Sequence, residues 1–546
     1  FIPPAVMFEL VLVLYLYKIN DGNSMVTVGV PVLNRSSARQ RRIAGMFVAT
    51  LPLTVKIEEN MSVLEVAGTI AKEHGNLFRH MKYPYADILK NIRTKHGMTD
   101  KMYDVMISYQ NAKTNAEGYT KWYANGCSET PLILHIDNRD GNNCYTINVD
   151  YQTSVFTEEA EIVHLMLRMR YILEQVVSGN RKQIADIQIV PQREKVKLLE
   201  QWNDTYVRDE KWQSIAELFE KQVEATPDKT ALIYGDKQYT YESLMKKVDQ
   251  MVNFLDGKGV KKGDKIAVLL NRDEKVVITQ LAVLKAGAVF IPIDSRYPYE
   301  RIQFILSESG AKFIVKNQSN PMKFFNECEV ENYERYESRV RETTGVSEED
   351  LCYIIFTSGS TGMPKGCALT QEGIANFCRN NNILSACDAL KKQICVSVNT
   401  ISFDFFIAES LLPLIHGYTV VLASERESTD PQEFAQLVMK RGVNIMQTTP
   451  TRYHYLLEKN KEDQLAKQLE VIVSSGEALT GELYQYFRRN TKAKIFNPLG
   501  PSECSVWVLG GELTDTGNIH IGKPIANTRV YILNSKGNLM PAGVAG

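Results

Sequence analysis

No two of the nine cysteines are spaced as CxxC. Cys127, Cys144, Cys328, Cys352, Cys367, Cys378, Cys387, Cys395 and Cys504 are odd in number and scattered, which argues against a disulfide framework and against a zinc site. Long apolar runs are lacking as well. The longest early stretch, Phe8 to Tyr17, is broken by Glu9 and falls short of the roughly 20 residues that span a bilayer. It has neither the basic start nor the cleavage site of a signal peptide, so it reads as a buried helix. Net charge is absent: 63 Lys and Arg against 64 acidic residues leave a formal charge of -1, so no global field holds nucleic acid or an anionic membrane. Any polyanion must be bound locally. These absences predict a soluble protein of a reducing, cytoplasmic compartment, with no nucleic-acid and no membrane partner. What is present, 44% hydrophobic and 23% charged residues over 546 positions, excludes a mainly disordered chain and provides for more than one domain.

From residue 1 to about 189, strand candidates at Met25 to Val32, Met102 to Tyr109, Leu132 to Ile136 and Cys144 to Tyr151 alternate with helical patterns such as Glu158 to Val177, giving a mixed α and β unit. Residues 190 to 213 are polar around Leu198, Leu199 and Trp202, with Asn203, Asp204 and Thr205 as turn formers, and read as an ordered linker. Ser214 followed by Glu217 is a capping box that opens a new domain, residues 214 to 546. A hairpin about Gly235-Asp236 comes first. Helix Tyr241 to Leu255, strand Lys265 to Leu270, helix Asp273 to Ala286, strand Ala288 to Pro292, helix Glu300 to Leu306 and strand Ala311 to Val315 then follow. That alternation predicts parallel sheet covered by helices, with ligands bound beyond the carboxyl ends of the strands.

The apolar strand candidate Leu351 to Phe356 runs into Thr357, Ser358, Gly359, Ser360, Thr361, Gly362, Met363, Pro364, Lys365 and Gly366. Glycines let backbone N–H groups approach phosphate oxygens, hydroxyls donate further bonds, and the lysine supplies the compensating charge. A flexible surface loop of small residues is the plainer alternative. A Walker A loop is excluded, because Pro364 stands where that pattern needs glycine and Gly366 follows the lysine in place of Ser or Thr.

Phe356 to Gly366 resembles the signature loop of the adenylate-forming superfamily, which includes the adenylation domains of nonribosomal peptide synthetases, acyl-CoA ligases and luciferases. Four further segments resemble its core motifs in order: Tyr239 to Leu244, Leu284 to Asp294, Phe403-Asp404, and Asn497 to Glu503. The resemblance implies a large amino-terminal adenylation subdomain that uses ATP and magnesium. Lys365 and Glu503 would be its catalytic groups, with Glu503 holding the metal through a hard carboxylate oxygen. Thr357, Ser358, Gly359, Ser360, Thr361, Gly362, Ser475, Gly476, Glu477, Asn497, Leu499, Gly500 and Ser502 would bind the nucleotide. Ser502 replaces the usual threonine and keeps a hydroxyl for phosphate. Leu499 replaces the usual tyrosine against adenine, from which lower nucleotide affinity is expected.

In peptide synthetases the aspartate at the Asp404 position pairs with the substrate's α-amino group, which favours an amino acid over a fatty acid. Read alone, Asp404 is better taken as a helix N-terminal acid near Ser402, and the resemblance tips the balance. The resemblance adds Phe405, Ala408, Gln447, Val473, Ser475, Pro498, Val506 and Trp507 as pocket residues, several of which serve equally as core. With Gln447 and Ser475 offering hydrogen bonds and no charge but Asp404, a small or modestly polar side chain such as that of glycine, serine or cysteine is expected.

Residues 1 to 189 resemble the carboxyl-terminal lobe of a condensation domain, a chloramphenicol-acetyltransferase-like half domain. The matches are Ile43 to Thr50, Lys82 to Tyr85, Tyr103 to Met106, and Asp150-Tyr151 to Phe156. None of the eight histidines (His74, His80, His96, His135, His164, His416, His454 and His520) is adjacent to another, so the HHxxxDG motif of that family is absent here. The implied fold is α/β throughout. The implied partners are an amino-acid substrate, peptidyl carrier domains bearing phosphopantetheine, and the remaining parts of the same synthetase. A chain that opens with Phe1 and stops at Gly546 reads as a piece of a longer polypeptide. It would end before the family's mobile lysine, and pyrophosphate exchange near background is expected from it alone. A stand-alone acyl-CoA or aryl-acid ligase and a noncatalytic docking platform are the rival readings.

Overall fold

Helix Pro4–Ile19 is apolar on every side and buried on every side, each residue from Phe8 to Tyr15 being buried. Only a helix enclosed by other elements tolerates that composition. Its one buried acid, Glu9, lies 2.9 Å from His74 Nε2 on helix Val63–Arg79. The computed structural model describes residues 2–35, 37–97, 101–110, 126–138, 144–179, 183–207, 212–339, 345–357, 363–458, 464–514 and 518–546. Two compact units result, Phe1–Asp204 with Val530–Gly546, and Thr205–Arg529. Among the described residues no helix is long and apolar enough to cross a membrane, and no group of three His, Cys, Asp or Glu side chains is placed to hold a metal ion. None of the nine cysteines forms a disulfide, and six are buried.

The first unit is built on β1 (Met25–Val32), β2 (Ala49–Lys56), β3 (Val105–Gln110), β4 (Leu132–Asp137) and β5 (Thr146–Tyr151), in the spatial order β2-β1-β3-β4-β5. The pairs β1/β3 and β3/β4 are parallel, and the flanking pairs antiparallel. Sequence patterning had assigned no strand to β2. Pro52 obscures it, yet an edge strand can spare the N–H that proline lacks, and Leu51, Leu53 and Val55 alternate inward as a strand should. The 190–213 segment begins with helix Gln192–Val196. Its turn former Asn203 is buried, donating to the carbonyls of Leu198 (2.8 Å) and Val530 (3.1 Å) and accepting from the Val530 N–H (2.7 Å). The two bonds to Val530 tie Val530–Gly546 into this unit.

In the second unit Ser214 caps helix Ile215–Ala225 and Glu217 reciprocates, the box expected from the sequence. The hairpin of β6 (Thr230–Tyr234) and β7 (Lys237–Thr240) follows. Next come β8 (Lys265–Leu269), β9 (Val289–Pro292), β10 (Phe313–Lys316), β11 (Glu327–Glu329), β12 (Leu351–Thr357) and β13 (Lys365–Thr370). They form one sheet, β11-β10-β8-β9-β12-β13, parallel except where β13 folds back on β12. The strands that follow are β14 (Ile394–Ser397), β15 (Thr419–Leu422), β16 (Ile445–Thr448), β17 (Val471–Ser474) and β18 (Lys494–Phe496). They make a second sheet, β18-β17-β16-β14-β15-β6-β7, which recruits the early hairpin through β15 and β6. Local alternation anticipates helix-covered parallel strands but not their division between two sheets, since a strand's neighbour is chosen by long-range packing. Helix Phe405–Ile415, buried at nearly every position, packs on β14, β15 and β16 and on helices Ile215–Ala225 and Gln371–Arg379.

Candidate active site

The described site residues lie on or beside helix Phe405–Ile415, on β12, β13, β16 and β17, and in the segments that follow β17 and β18. Thr357 ends β12 and Lys365 begins β13, directly opposite each other in the antiparallel register. Their hydroxyl and ammonium therefore flank the mouth of the loop between them. Ser358, Gly359, Ser360, Thr361 and Gly362 lie outside the described residues. Lys365 is exposed, whereas Cys367, two residues on, is buried. Burial, then the neighbouring Glu503 carboxylate, push the Cys367 thiol up, while a hydrogen bond with Thr357 opposes them and the Asp404 charge adds a smaller rise. One small side chain thus marks where Thr357, Glu503 and Asp404 converge. No spacing rule in the sequence singles Cys367 out.

Asp404 sits at the N-terminal end of helix Phe405–Ile415 without capping it through its side chain. It is 2% exposed. Oδ2 accepts a 2.5 Å hydrogen bond from Ser502 Oγ, and Oδ1 is buried with no side-chain partner. Burial pushes the carboxyl up to about 6, with the Ser502 hydroxyl as the chief counterweight. The Ser502 hydroxyl, which the sequence assigns to phosphate, is directed at the aspartate. The loop ahead of Asp404 is fixed by Thr400 Oγ1 donating to Asp294 Oδ2 (2.9 Å) and by the Tyr297–Ser402 hydroxyl contact (2.9 Å).

Glu503 is exposed on the single turn Ser502–Cys504, which packs on β13. That turn belongs to a loop closed on itself: Leu499 N–H donates to Leu509 O (3.1 Å), and the N–H groups of Val508 and Leu509 donate to Leu499 O (2.9 and 3.0 Å). Gly500 makes the closure possible. A Cβ there would stand 2.1 Å from Trp507 Cα and 2.7 Å from Val506 O. Val506 itself is buried with φ +75, a conformation that costs a β-branched residue of order 1–3 kcal/mol. The Leu499 side chain is half exposed, as an apolar surface for a base would be.

Ser475 follows β17 and is buried, but its hydroxyl donates to Pro498 O (2.7 Å) and is not left for a ligand. Gly476 turns at φ +84 against the Phe405 ring. Glu477 Oε2 accepts from Thr451 N (3.1 Å) and Thr451 Oγ1 (2.5 Å), so its carboxylate serves the adjacent helix Pro450–Glu458. Asn497 Nδ2 donates to His520 O (3.2 Å).

Four of the expected pocket residues, Ala408, Gln447, Val473 and Trp507, line one cavity of about 40 Å³. Phe405 and Pro498 are buried outside that lining, the Phe405 ring tilted by 44° against Phe403 with centroids 4.5 Å apart. The charge in the wall is Glu409, not Asp404. Its carboxylate is spent on Ser397 Oγ (3.0 Å), Val398 N (3.0 Å) and Asn399 N (3.1 Å), and burial, offset first by Arg272, pushes it up to about 7.

Comparison with known proteins extends this geometry. Residues 219–546 match the family model described as AMP-binding enzyme, and residues 6–199 the model of the condensation domain. The dimodular nonribosomal peptide synthase of Bacillus subtilis (strain 168) is 30% identical over 545 residues, covering 96% of this chain and 22% of that relative. Surfactin synthase subunit 1 of the same strain is 28% identical over 559 residues, covering 99% of this chain and 15% of its own length. The chain therefore spans about a fifth or less of these curated relatives. A solved four-domain nonribosomal peptide synthetase, crystallised in its holo form with AMP and glycine, superposes with a TM-score of 0.85 over 99% of this chain and 42% of that one. At 20% identity that likeness establishes the fold.

Proposed function

The chain belongs to the AMP-binding enzyme family, with a condensation-domain segment ahead of the AMP-binding part, and from that premise we propose that it activates an amino acid with ATP as the aminoacyl adenylate. The observation that carries the reading is Asp404: a buried carboxylate held by the Ser502 hydroxyl and neighbouring backbone N–H groups, next to Glu503 and met by no cation among the described residues. An unpaired buried carboxylate is costly unless a cation is to meet it. An α-ammonium group supplies that cation, and a fatty or aryl acid does not.

The substrate carboxylate oxygen attacks the α-phosphorus, a P–O bond forms, and the bond to the β-phosphate breaks in line, so that pyrophosphate leaves with its charge. Lys365 and Thr357 at the loop mouth, with the hydroxyls of the loop between them, offset the phosphate charge. The exposed Glu503 carboxylate and the nearby Thr357 hydroxyl are hard oxygen donors of the kind magnesium prefers. Magnesium, when bound there, would neutralise charge on the phosphates. Onward transfer to phosphopantetheine on a carrier domain, in the cytoplasm, belongs to the same proposal. Its support is the condensation segment and the synthetases that the chain resembles.

Only ionised Asp404 can pair with an ammonium. Its carboxyl is raised to about 6 in the free protein, so amino-acid affinity should fall by about tenfold per pH unit below that value and level off above it. ATP affinity measured in parallel should not follow this profile. An amino-acid affinity flat from about pH 5 to about pH 8 would remove Asp404 from the amino-group role.

A further inference from the structure

Tyr353, on β12, is 1% exposed, and its hydroxyl is buried with no hydrogen-bond partner among the described residues. A buried phenol ordinarily finds one, because an unmet hydroxyl has given up its bonds to water for nothing. Other buried tyrosines of this unit obey the rule. Tyr241 donates to Tyr418 O (2.7 Å), Tyr453 to Met446 O (2.8 Å) and Tyr484 to Thr514 O (2.8 Å). Tyr353 departs from it, and the place where it departs is the site.

In its sheet β12 lies between β9 and β13. The loop leading to Asp404 is tied by Thr400 to Asp294, two residues past β9, and Asp404 itself is tied to Ser502 on the turn that packs on β13. The aspartate is therefore held from both flanks of β12. On β13 the residue that feels the Glu503 and Asp404 charges is Cys367, and its partner across the ladder is Ile355. Alternate residues of a strand share a face, so Tyr353, two positions before Ile355, lies on the face turned to those carboxylates. Burial, and after it the Asp404 charge, push the phenol well above its ordinary range. The hydroxyl stays neutral, and its oxygen keeps lone pairs to offer.

Resting on the amino-acid activation proposed above, we infer that the Tyr353 hydroxyl is a second acceptor for the substrate's α-ammonium group, alongside Asp404. An ammonium carries three N–H donors, more than the Asp404 carboxylate can take while Ser502 and backbone N–H groups already bond it. A neutral oxygen on the same buried face accepts another. Asp404 supplies the charge, and Tyr353 supplies direction. With two acceptors fixed, the ammonium and the carboxylate one carbon away keep one orientation toward the α-phosphorus. A carboxylic acid without the amino group has nothing to donate to either, so Tyr353 acts on the choice of substrate.

Calorimetric titration of the chain with 5′-O-(N-acyl)sulfamoyladenosines tests this, in pairs that differ only by the amino group: glycyl and acetyl, seryl and 3-hydroxypropionyl, valyl and 3-methylbutanoyl, phenylalanyl and 3-phenylpropionyl. In the parent protein the aminoacyl member of at least one pair should bind more tightly than its des-amino partner. Tyr353→Phe, which keeps the ring and deletes the oxygen, should shrink that ratio by about tenfold, as loss of a hydrogen bond to a charged donor does, and leave the des-amino affinities within a factor of about two. Because the hydroxyl has no partner in the free protein, the variant should unfold at the same temperature as the parent or a higher one, which a structural role would reverse. An unchanged ratio in Tyr353→Phe, or equal losses for both members of a pair, would overturn the inference and leave amino-acid activation standing. If no aminoacyl compound bound the parent protein more tightly than its des-amino partner, the activation reading would fall, and this inference with it.

Discussion

Asp404→Asn should weaken amino-acid binding by roughly 10- to 150-fold, the factor that corresponds to about 1.5–3 kcal/mol for a hydrogen bond to a charged group, and should leave ATP binding within a factor of about two. The neutral amide keeps the shape of the side chain but cannot pair with an ammonium. The pH dependence below about 6 should vanish with it. The variant should not be less stable. Burial raises the carboxyl from its ordinary 3.8 to about 6, so the folded state holds the proton more tightly than the unfolded state does, and above that pH the ionised group opposes folding. An amide removes that opposition. Calorimetry for each substrate and thermal unfolding at neutral pH measure both effects. Equal losses for amino acid and ATP would mean that Asp404 supports the site as a whole.

Gly500→Ala should be the most damaging single-methyl substitution in the nucleotide loop. The new Cβ would meet backbone, Trp507 Cα at 2.1 Å and Val506 O at 2.7 Å, so no side-chain rotation relieves it. The loop closed by Leu499, Val508 and Leu509 must open. Opening carries Ser502 away from Asp404, Glu503 away from Cys367, and Trp507 out of the cavity wall. A loss of about 3 kcal/mol in stability is expected. Activity should fall by on the order of 10² to 10³, because the electrostatic groups of the phosphate site are displaced together. Far-ultraviolet circular dichroism should stay native, since the sheets are untouched. Activity within a few-fold of the parent would show that the loop accepts the added methyl without opening.

What the sequence disclosed was local. The Met25–Val32 strand, the Ser214–Glu217 capping box and the turn at Gly235-Asp236 each depend on residues a few positions apart, and each stands where patterning put it. What it withheld was non-local. The hairpin of β6 and β7 finds its neighbour β15 almost two hundred residues later, through Val420 opposite Leu232, a choice set by packing and not by alternation. At the site, residue type gave each side chain its chemistry but not its partner. Ser502 and Ser475 both present hydroxyls in the sequence; folding spends one on Asp404, 98 positions away, and the other on the Pro498 carbonyl. Glu409 looks like another residue of an apolar helix until its carboxylate is found gathering the N–H groups of Val398 and Asn399.

Amino-acid-dependent exchange of pyrophosphate into ATP, measured on the full-length gene product across amino acids, fatty acids and aryl acids, tests the central claim most directly. Exchange stimulated by one or a few amino acids, dependent on magnesium and strongly reduced by Asp404→Asn, is the predicted result. Exchange stimulated by fatty or aryl acids and by no amino acid would contradict it.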